Sequence, residues 1–141
     1  MSRVFWDTNL FIYLLEDYGL HSESVIELLA RMESRADELL TSAITLGEIL
    51  VQPSSAGDLR RCQEYEAAIK ANATILAFDI GASRSYARIR SQPRKIAPPD
   101  AIQLACAASA GVDLFLTNDT RLHGLHVDGI QFITSVDRAP L

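Results

Sequence analysis

Five acidic residues lie at or just beyond the ends of short apolar segments in this 141-residue chain. If the fold brings several of these carboxylates within a few ångströms of one another, their charges repel unless a cation neutralises them. Oxygen ligands suit hard divalent ions such as Mg²⁺ and Mn²⁺. One interpretation of the acids is therefore a divalent-metal site. The five residues are Asp7, Glu48, Asp79, Asp100 and Asp119.

Four of these acids also have a simpler explanation in helix capping. Asp7, Asp79 and Asp119 could cap the helices that follow them, because Asp accepts hydrogen bonds from the free N–H groups of a helix N-terminus. Asp100 could complement the dipole of its own helix. The residue types leave capping and metal binding open at these positions.

Glu48 has its own capping explanation in the segment Thr45-Leu46-Gly47-Glu48. This spacing fits a capping box, in which Thr45 is the N-cap and the Glu48 side chain returns to its N–H group. Capping accounts for each acid singly, but it does not account for their joint occurrence at corresponding places after the strands.

The elements that position these acids are strands alternating with helices. Helical periodicity covers residues 22–35 and 58–71, and Pro98 and Gly111 bound the apolar helix 98–110. The alternation predicts an α/β three-layer sandwich with a mainly parallel five-stranded sheet. Ligands of such sheets bind beyond the carboxyl ends of the strands. The predicted strands are Val4 to Trp6, Leu39 to Ile44, Ile75 to Phe78, Leu114 to Leu116 and Ile130 to Ile133.

Length and composition indicate one domain spanning residues 1–141, since 48% hydrophobic residues suffice for one substantial core. No stretch approaches the roughly 20 apolar residues that cross a bilayer, and an acid lies at position 7. We therefore expect a cytoplasmic protein without a membrane anchor. Cys62 and Cys106 lack metal-ligand spacing, so we expect buried, reduced thiols.

The charge is unevenly distributed about a formal net value of −5. This total argues against a protein that coats nucleic acid through bulk positive charge. Residues 1–59 carry ten acids and three bases, whereas residues 80–99 carry five bases and no acid. The basic stretch could bind an anion or could be a solvated face. Its bases are Arg84, Arg88, Arg90, Arg94 and Lys95.

Four of the acidic segments together resemble the motifs of PIN-domain ribonucleases, especially VapC-type toxins. These are DTN at residues 7–9, the Glu of TLGEIL, and the two acids of PPDAIQLACAASAGVDLFLTND. The resemblance runs from residue 4 to about residue 133 in the order and spacing of the family. It implies the strand order 3-2-1-4-5. It also implies an acidic metal pocket formed by Asp7, Glu48, Asp100 and Asp119, with Thr8 and Asn118 as polar supports.

The same resemblance implies distinct roles within this pocket. Asp7 and Asp100 are expected to bind the metal directly, and Glu48 and Asp119 directly or through water. Asp79 follows the third strand, about 9.5 Å from the first at roughly 4.8 Å per strand, so we expect it to cap a helix instead. Pro99, where many relatives have a small residue, should hold Asp100 rigidly.

The function that the resemblance implies is Mg²⁺-dependent endoribonuclease activity, with Mn²⁺ able to substitute. A metal-activated water would cut RNA and leave 5′-phosphate and 3′-hydroxyl ends. The basic residues 84–95 are candidates for binding the RNA backbone. The expected partners are the RNA, a small antitoxin with an inhibitory C-terminal arm, and a second copy in a homodimer.

Three other functions remain as alternatives. A receiver-type phospho-acceptor domain shares the five strands, but neither Lys70 nor Lys95 follows the fifth strand as its lysine would. A PIN-like scaffold that binds without cutting should lack some of the acids. A flap-type nuclease acting on DNA should carry large insertions. A metal-free mechanism using His123 and His126 is less favoured, because both are expected in a polar surface loop.

Overall fold

The computed structural model describes all residues 1–141 and contains one five-stranded sheet in which every neighbouring pair is parallel. The order is β3-β2-β1-β4-β5, which confirms the predicted 3-2-1-4-5 arrangement. β1 is therefore central, with β2 on one side and β4 on the other. The strands are β1 Arg3–Trp6, β2 Glu38–Ser42, β3 Thr74–Leu76, β4 Val112–Leu116 and β5 Ile130–Thr134.

Six α-helices cover the two faces of the sheet, and a short 3₁₀ helix, Val136–Arg138, follows β5. None of the helices is long and apolar enough to span a bilayer. The α-helices are α1 Thr8–Leu15, α2 Leu20–Arg35, α3 Ala43–Ser55, α4 Leu59–Asn72, α5 Ile80–Arg90 and α6 Pro98–Ala110.

Alternating side chains of the central strand divide the apolar core into two layers, as expected for a parallel sheet covered on both faces. Phe5 belongs to a 16-residue cluster with residues of α5 and α6. Its ring stacks on Phe115 of β4 with 5.0 Å between ring centroids. Val4 and Trp6 face the other way, into a 12-residue cluster with residues of α1 and α2. Both layers hold the carboxyl end of β1 rigidly.

Two predicted strands are shorter than expected. β2 ends at Ser42 because Ala43 already begins α3. β3 lies at the sheet edge and pairs only with β2, where its last partner is Ser42 opposite Leu76. β3 therefore has no strand to pair with beyond Leu76, and the prediction that it reaches Phe78 was wrong.

The two cysteines are free, but they differ in burial. Cys106 is buried in α6, and burial raises the pKa of its thiol to about 11. Cys62 is only partly buried, so the expectation that both thiols are buried was wrong for Cys62. It lies on α4, a helix of low hydrophobicity in which only Ile69 is fully buried.

Candidate acidic site at the carboxyl edge of the sheet

Asp7 occupies the centre of the acidic edge, directly after β1. It is the N-cap of α1, where its Oδ1 accepts a hydrogen bond from the Thr8 N–H at 2.8 Å. Its Oδ2 accepts from the Thr117 hydroxyl at 2.7 Å. Burial nevertheless raises the pKa of Asp7, and the charges of Glu48 and Asp119 raise it further. Asp7 is therefore both a helix cap and a member of a cluster of like charges.

Asp100 reaches the same edge from the first turn of α6, whose first residues are Pro98 and Pro99. Burial raises the pKa of its carboxyl, followed by the charges of Asp7 and Asp119. No hydrogen bond from the protein lowers the pKa of Asp100, whereas hydrogen bonds from Thr8 and Thr117 lower that of Asp7. Asp100 is the acid of the site that is least engaged by the protein.

Glu48 is joined to the site through Thr8. Its Oε1 accepts a hydrogen bond from the Thr8 hydroxyl at 2.8 Å. The alternative of a capping box at Thr45 does not hold, because α3 begins at Ala43 and Thr45 lies buried inside the helix. The Glu48 side chain is exposed, and it contacts the Thr8 hydroxyl on α1 rather than the N-terminus of its own helix, α3.

Asp119 is tied to an arginine that the sequence did not single out. Arg121 donates from Nε to Asp119 Oδ1 at 2.9 Å and from Nη2 to Oδ2 at 2.6 Å. These bonds lower the pKa of Asp119. The alternative that Asp119 caps a helix does not hold, since Asp119 lies in a turn in which its carboxylate also accepts from the Arg121 N–H. The signal available was the spacing of an acid and an arginine two residues apart in NDTR.

Gln103 is a second residue that the sequence reasoning missed, and it connects the elements of the site. It is 3% exposed and lies one turn after Asp100 on α6. Its Nε2 donates to the Thr45 hydroxyl at 2.7 Å and to the Thr8 hydroxyl at 3.1 Å. Its Oε1 accepts from the Ser42 hydroxyl. The sequence signal was one amide in an otherwise apolar helix, PPDAIQLACAASA.

Three other residues considered in the sequence, one asparagine and two histidines, have different surroundings. Asn118, expected to support the metal pocket, donates from Nδ2 to the Tyr13 hydroxyl at 2.9 Å. His123 was expected at the surface, but it is partly buried and its Nε2 lies 2.9 Å from the Thr117 carbonyl oxygen. His126 is exposed, as expected.

Asp79 caps the helix that follows β3, as expected from the sequence. It is the N-cap of α5, and its Oδ1 accepts from the Ala82 N–H at 2.9 Å. The distance argument that separated it from the pocket is consistent with its place after β3, two strands from β1.

The basic stretch runs from the middle of α5 through the loop before α6. All five of its basic residues are exposed, and none has a carboxylate within 4.0 Å. Arg90 donates to the Ile96 carbonyl at 3.2 Å, and Arg94 donates to the Arg121 carbonyl. The stretch is thus available to an external anion and is connected to the turn that carries Asp119.

The donor set fits a hard divalent ion only with water as additional ligand. No group of three or more His, Cys, Asp or Glu side chains is arranged to hold a metal ion alone. Mg²⁺ usually keeps several waters and binds one or two carboxylates, so a larger protein cage is not required. Asp7 and Asp100 match this pattern, because they are all-oxygen donors and the charge of Asp7 raises the pKa of Asp100.

Fold and site together define an α/β protein with an acidic site at the carboxyl ends of its central parallel strands. The sequence profile of the PIN domain matches residues 4–126. The chain belongs to the PIN domain family, which confirms the resemblance found in its acidic motifs. Among curated proteins, none matches the sequence.

Solved structures with a similar fold include complexes of VapBC, a family of toxin–antitoxin systems. A chain of VapBC2 from Rickettsia felis, bound to a DNA fragment from its promoter, has a TM-score of 0.75 and 14% identity, with 94% of this chain and 98% of that chain covered. DNA-bound VapBC from Salmonella typhimurium gives 0.74 and 22%, covering 96% and 99%. FitAcB from Neisseria gonorrhoeae gives 0.63 and 23%, covering 83% and 88%.

Proposed function

We propose that this protein is a metal-dependent endoribonuclease and the toxin of a VapBC-type toxin–antitoxin pair. PIN domains are nucleases, and the fold is similar to chains of VapBC and FitAB complexes. The observation that carries the proposal is the convergence of two carboxylates, Asp7 and Asp100, each with a pKa raised by burial and by neighbouring acids. Such a cluster is costly for the protein alone and suits a bound cation.

The acids would hold and orient rather than attack. Bound Mg²⁺ or Mn²⁺ supplies a water of lowered pKa and screens the charge of the phosphate oxygens. Asp7 and Asp100 would bind the ion, and Glu48, fixed by Thr8, would orient the attacking water. In-line attack on phosphorus by this water, with departure of the 3′ oxygen, leaves a 5′-phosphate and a 3′-hydroxyl.

The role of Asp119 is changed by its pairing with Arg121. A second ion at Asp119 would require Arg121 to release both carboxylate oxygens. In the paired state the guanidinium, which is 77% exposed, can itself contact an anionic phosphate. We therefore propose that Asp119 acts first as the anchor of Arg121.

The proposed protein partner is a small antitoxin. The similar structures are complexes of a toxin with an antitoxin, two of them bound to DNA. An antitoxin C-terminal arm bearing an arginine would suit the acidic edge, because a guanidinium pairs bidentately with carboxylates. A homodimer and a cytoplasmic location belong to the same proposal.

The experiment that tests the nuclease is incubation of the purified protein with total RNA. With Mg²⁺ we expect cuts that leave 5′-phosphate ends, located by sequencing, and no cuts in EDTA. Asp100→Asn is the matched inactive variant, because Asp100 has no protein hydrogen bond to lose. Full cleavage in EDTA would exclude the metal mechanism, and binding without cleavage would favour the scaffold alternative.

A further inference from the structure

A cavity of about 430 Å³ lies between the end of α5, the loop before α6 and residues 125–128. None of the four acids of the proposed active site lines it. Its apolar wall includes Ile89, Ile96 and Val127, and its polar rim includes Arg88, Arg94 and His126. This volume is in the range of sites that hold small organic molecules.

The charges around this cavity favour an anion. Arg88 is exposed and has no carboxylate partner, and its Nη2 donates to the Ser85 hydroxyl at 3.2 Å. Arg94 uses one donor on the Arg121 carbonyl and has further donors available. One acid, Asp128, also lines the cavity, but its Oδ1 lies 3.5 Å from His126 Nε2. Two guanidinium groups and one carboxylate thus line the cavity, and the carboxylate already has a histidine beside it.

A hydrogen bond and a backbone segment lead from the lining of the cavity to the acidic site. The hydrogen bond from Arg94 reaches the backbone of Arg121, whose side chain binds Asp119. The loop that carries Arg94 also leads directly into the first turn of α6, where Asp100 lies. The cavity itself extends toward the amino ends of the strands, because Ala108, near the end of α6, and residues 125–128, just before β5, line it. Ala108 lies eight residues along α6 from Asp100, about 12 Å at roughly 1.5 Å per residue, so a nucleic-acid strand crossing the acidic site would reach the cavity only by extending along this face.

We propose that this cavity is a subsite for one nucleotide of a single-stranded RNA that is cut at the acidic site. A nucleotide has an apolar base face and an anionic phosphate, which match the apolar wall and the two arginines. Unstacked bases of single strands are typical targets of protein pockets, and base stacking tolerates different sequences. The inference rests on the proposed nuclease function and specifies how its substrate is held.

The test measures binding of a fluorescein-labelled 12-mer of uridine in EDTA, so that binding does not depend on cleavage. Arg88→Ala should weaken binding about fivefold or more, the loss expected for one charge-assisted contact. Arg31→Ala is the control, because Arg31 is exposed on α2 and belongs neither to the basic stretch nor to the lining of the cavity. It should weaken binding less than twofold. Equal losses in the two variants would overturn the subsite.

A second measurement tests recognition of the base. A 12-mer of the same ribose-phosphate backbone without bases should bind the wild-type protein several-fold more weakly, and 4-thiouridine in the intact 12-mer should crosslink to peptides containing residues 88–96 or 125–128. Equal binding of both oligomers, or crosslinks confined elsewhere, would refute the proposal. Cleavage of total RNA with Mg²⁺ is scored separately, so a failed subsite and a failed nuclease give different results.

Discussion

At the scale of single residues, the site combines caps and like charges in the same side chains. Asp7 caps α1 and yet keeps a raised pKa, because the desolvation of its carboxylate outweighs the hydrogen bonds from Thr8 and Thr117. Capping and metal binding are therefore not alternatives at Asp7. Glu48 differs from Asp7, because its side chain accepts from the Thr8 hydroxyl and does not cap the N-terminus of its own helix, α3.

We expect Glu48→Gln to fold normally and to lose about 10- to 100-fold of RNA cleavage, the loss typical of residues that orient a metal site. Glutamine keeps an oxygen that can accept from the Thr8 hydroxyl, but it removes the charge. Thermal unfolding and cleavage of total RNA measure the two effects. A fully active Glu48→Gln protein would leave Glu48 as a surface residue, and Glu48→Ala separates the lost hydrogen bond from the lost charge.

The raised pKa of Asp100 predicts how stability depends on pH without metal. The folded state binds the proton of Asp100 more tightly than the unfolded state does, so this carboxylate destabilises the fold above its folded pKa. The penalty disappears as pH falls through that pKa toward the ordinary value of 3.8. Asp100→Asn should therefore raise Tm at neutral pH in EDTA, and the gain should shrink in acid.

Asp119 gives the opposite contribution and serves as the comparison. Arg121 lowers the pKa of Asp119, so its stabilisation is present above pH 3.8 and is lost as pH falls through the lower, folded value. Asp119→Asn should lower Tm at neutral pH. A metal-free Asp100→Asn protein that is less stable than wild type at neutral pH would contradict the charge-repulsion account.

At the scale of elements, the carboxyl edge depends on how α6 packs against β2 and α3. Gln103 bonds to Ser42 at the end of β2 and to Thr45 inside α3, and also to Thr8 on α1. One amide thus fixes the relative positions of four elements that carry the acids or their supports. Buried polar networks of this kind are specific only when every member is satisfied.

Gln103→Met should destabilise the fold by roughly 1–3 kcal/mol, because it leaves the buried Ser42 hydroxyl without its side-chain partner and removes a donor from Thr45 and Thr8. It should also reduce cleavage, since Thr8 loses the donor that fixes it beside Glu48. Urea unfolding and cleavage of total RNA measure the two losses. Ile102→Met is the control, as a change of shape on the same helix without a lost hydrogen bond. Equal effects of both substitutions would reduce Gln103 to ordinary packing.

The packing of α6 against the turn before β5 makes a separate prediction at Gly129. A Cβ placed there would lie 2.3 Å from the Ala108 carbonyl oxygen, and φ is +97°. Gly124 also has a positive φ, +80°, but nothing lies within 4 Å of its Cβ position. Gly129→Ala should therefore cost more than Gly124→Ala, for which backbone strain of about 1 kcal/mol is expected. Equal urea midpoints would show that no close contact exists.

At the scale of the whole molecule, charge is separated into an acidic edge and a basic stretch. The net charge of −5 hides this separation, because the bases of residues 80–99 have no acid among them in sequence and none in contact. Divalent cations and the RNA backbone would bind to different parts of one surface. Metal binding should accordingly be measurable without RNA.

Mg²⁺ should raise the Tm of the wild-type protein, because a ligand that binds only the folded state stabilises it by about 2.7 kcal/mol at 100 times its Kd. Asp7→Asn combined with Asp100→Asn should abolish this shift. Asp79→Asn is the matched control, since Asn is a good N-cap and Asp79 lies outside the cluster. Loss of the Mg²⁺ shift in Asp79→Asn as well would place the ion elsewhere.

The sequence by itself determined the α/β class, the places of the five strands and of three of the six α-helices, and the acids that would follow the strands. Period-two and helical apolar patterns record which faces are buried, and the ends of parallel strands necessarily meet at one edge. The strand order and the separation of Asp79 came from the family resemblance that the ordered motifs supported. The α/β class and the positions of the elements depend on local spacing along the chain.

Only the tertiary structure decided which partner each acid has. Glu48 contacts Thr8 across 40 positions, Gln103 contacts Asp7 and Thr8 across more than 90, and Arg121 turns back on Asp119. The Glu48 carboxylate could bond either to the N-terminus of its own helix, in a capping box, or to a side chain on a neighbouring element. Residue type alone does not favour either partner. The helix start at Ala43 settled that competition, because it buried Thr45 and left Glu48 facing the site.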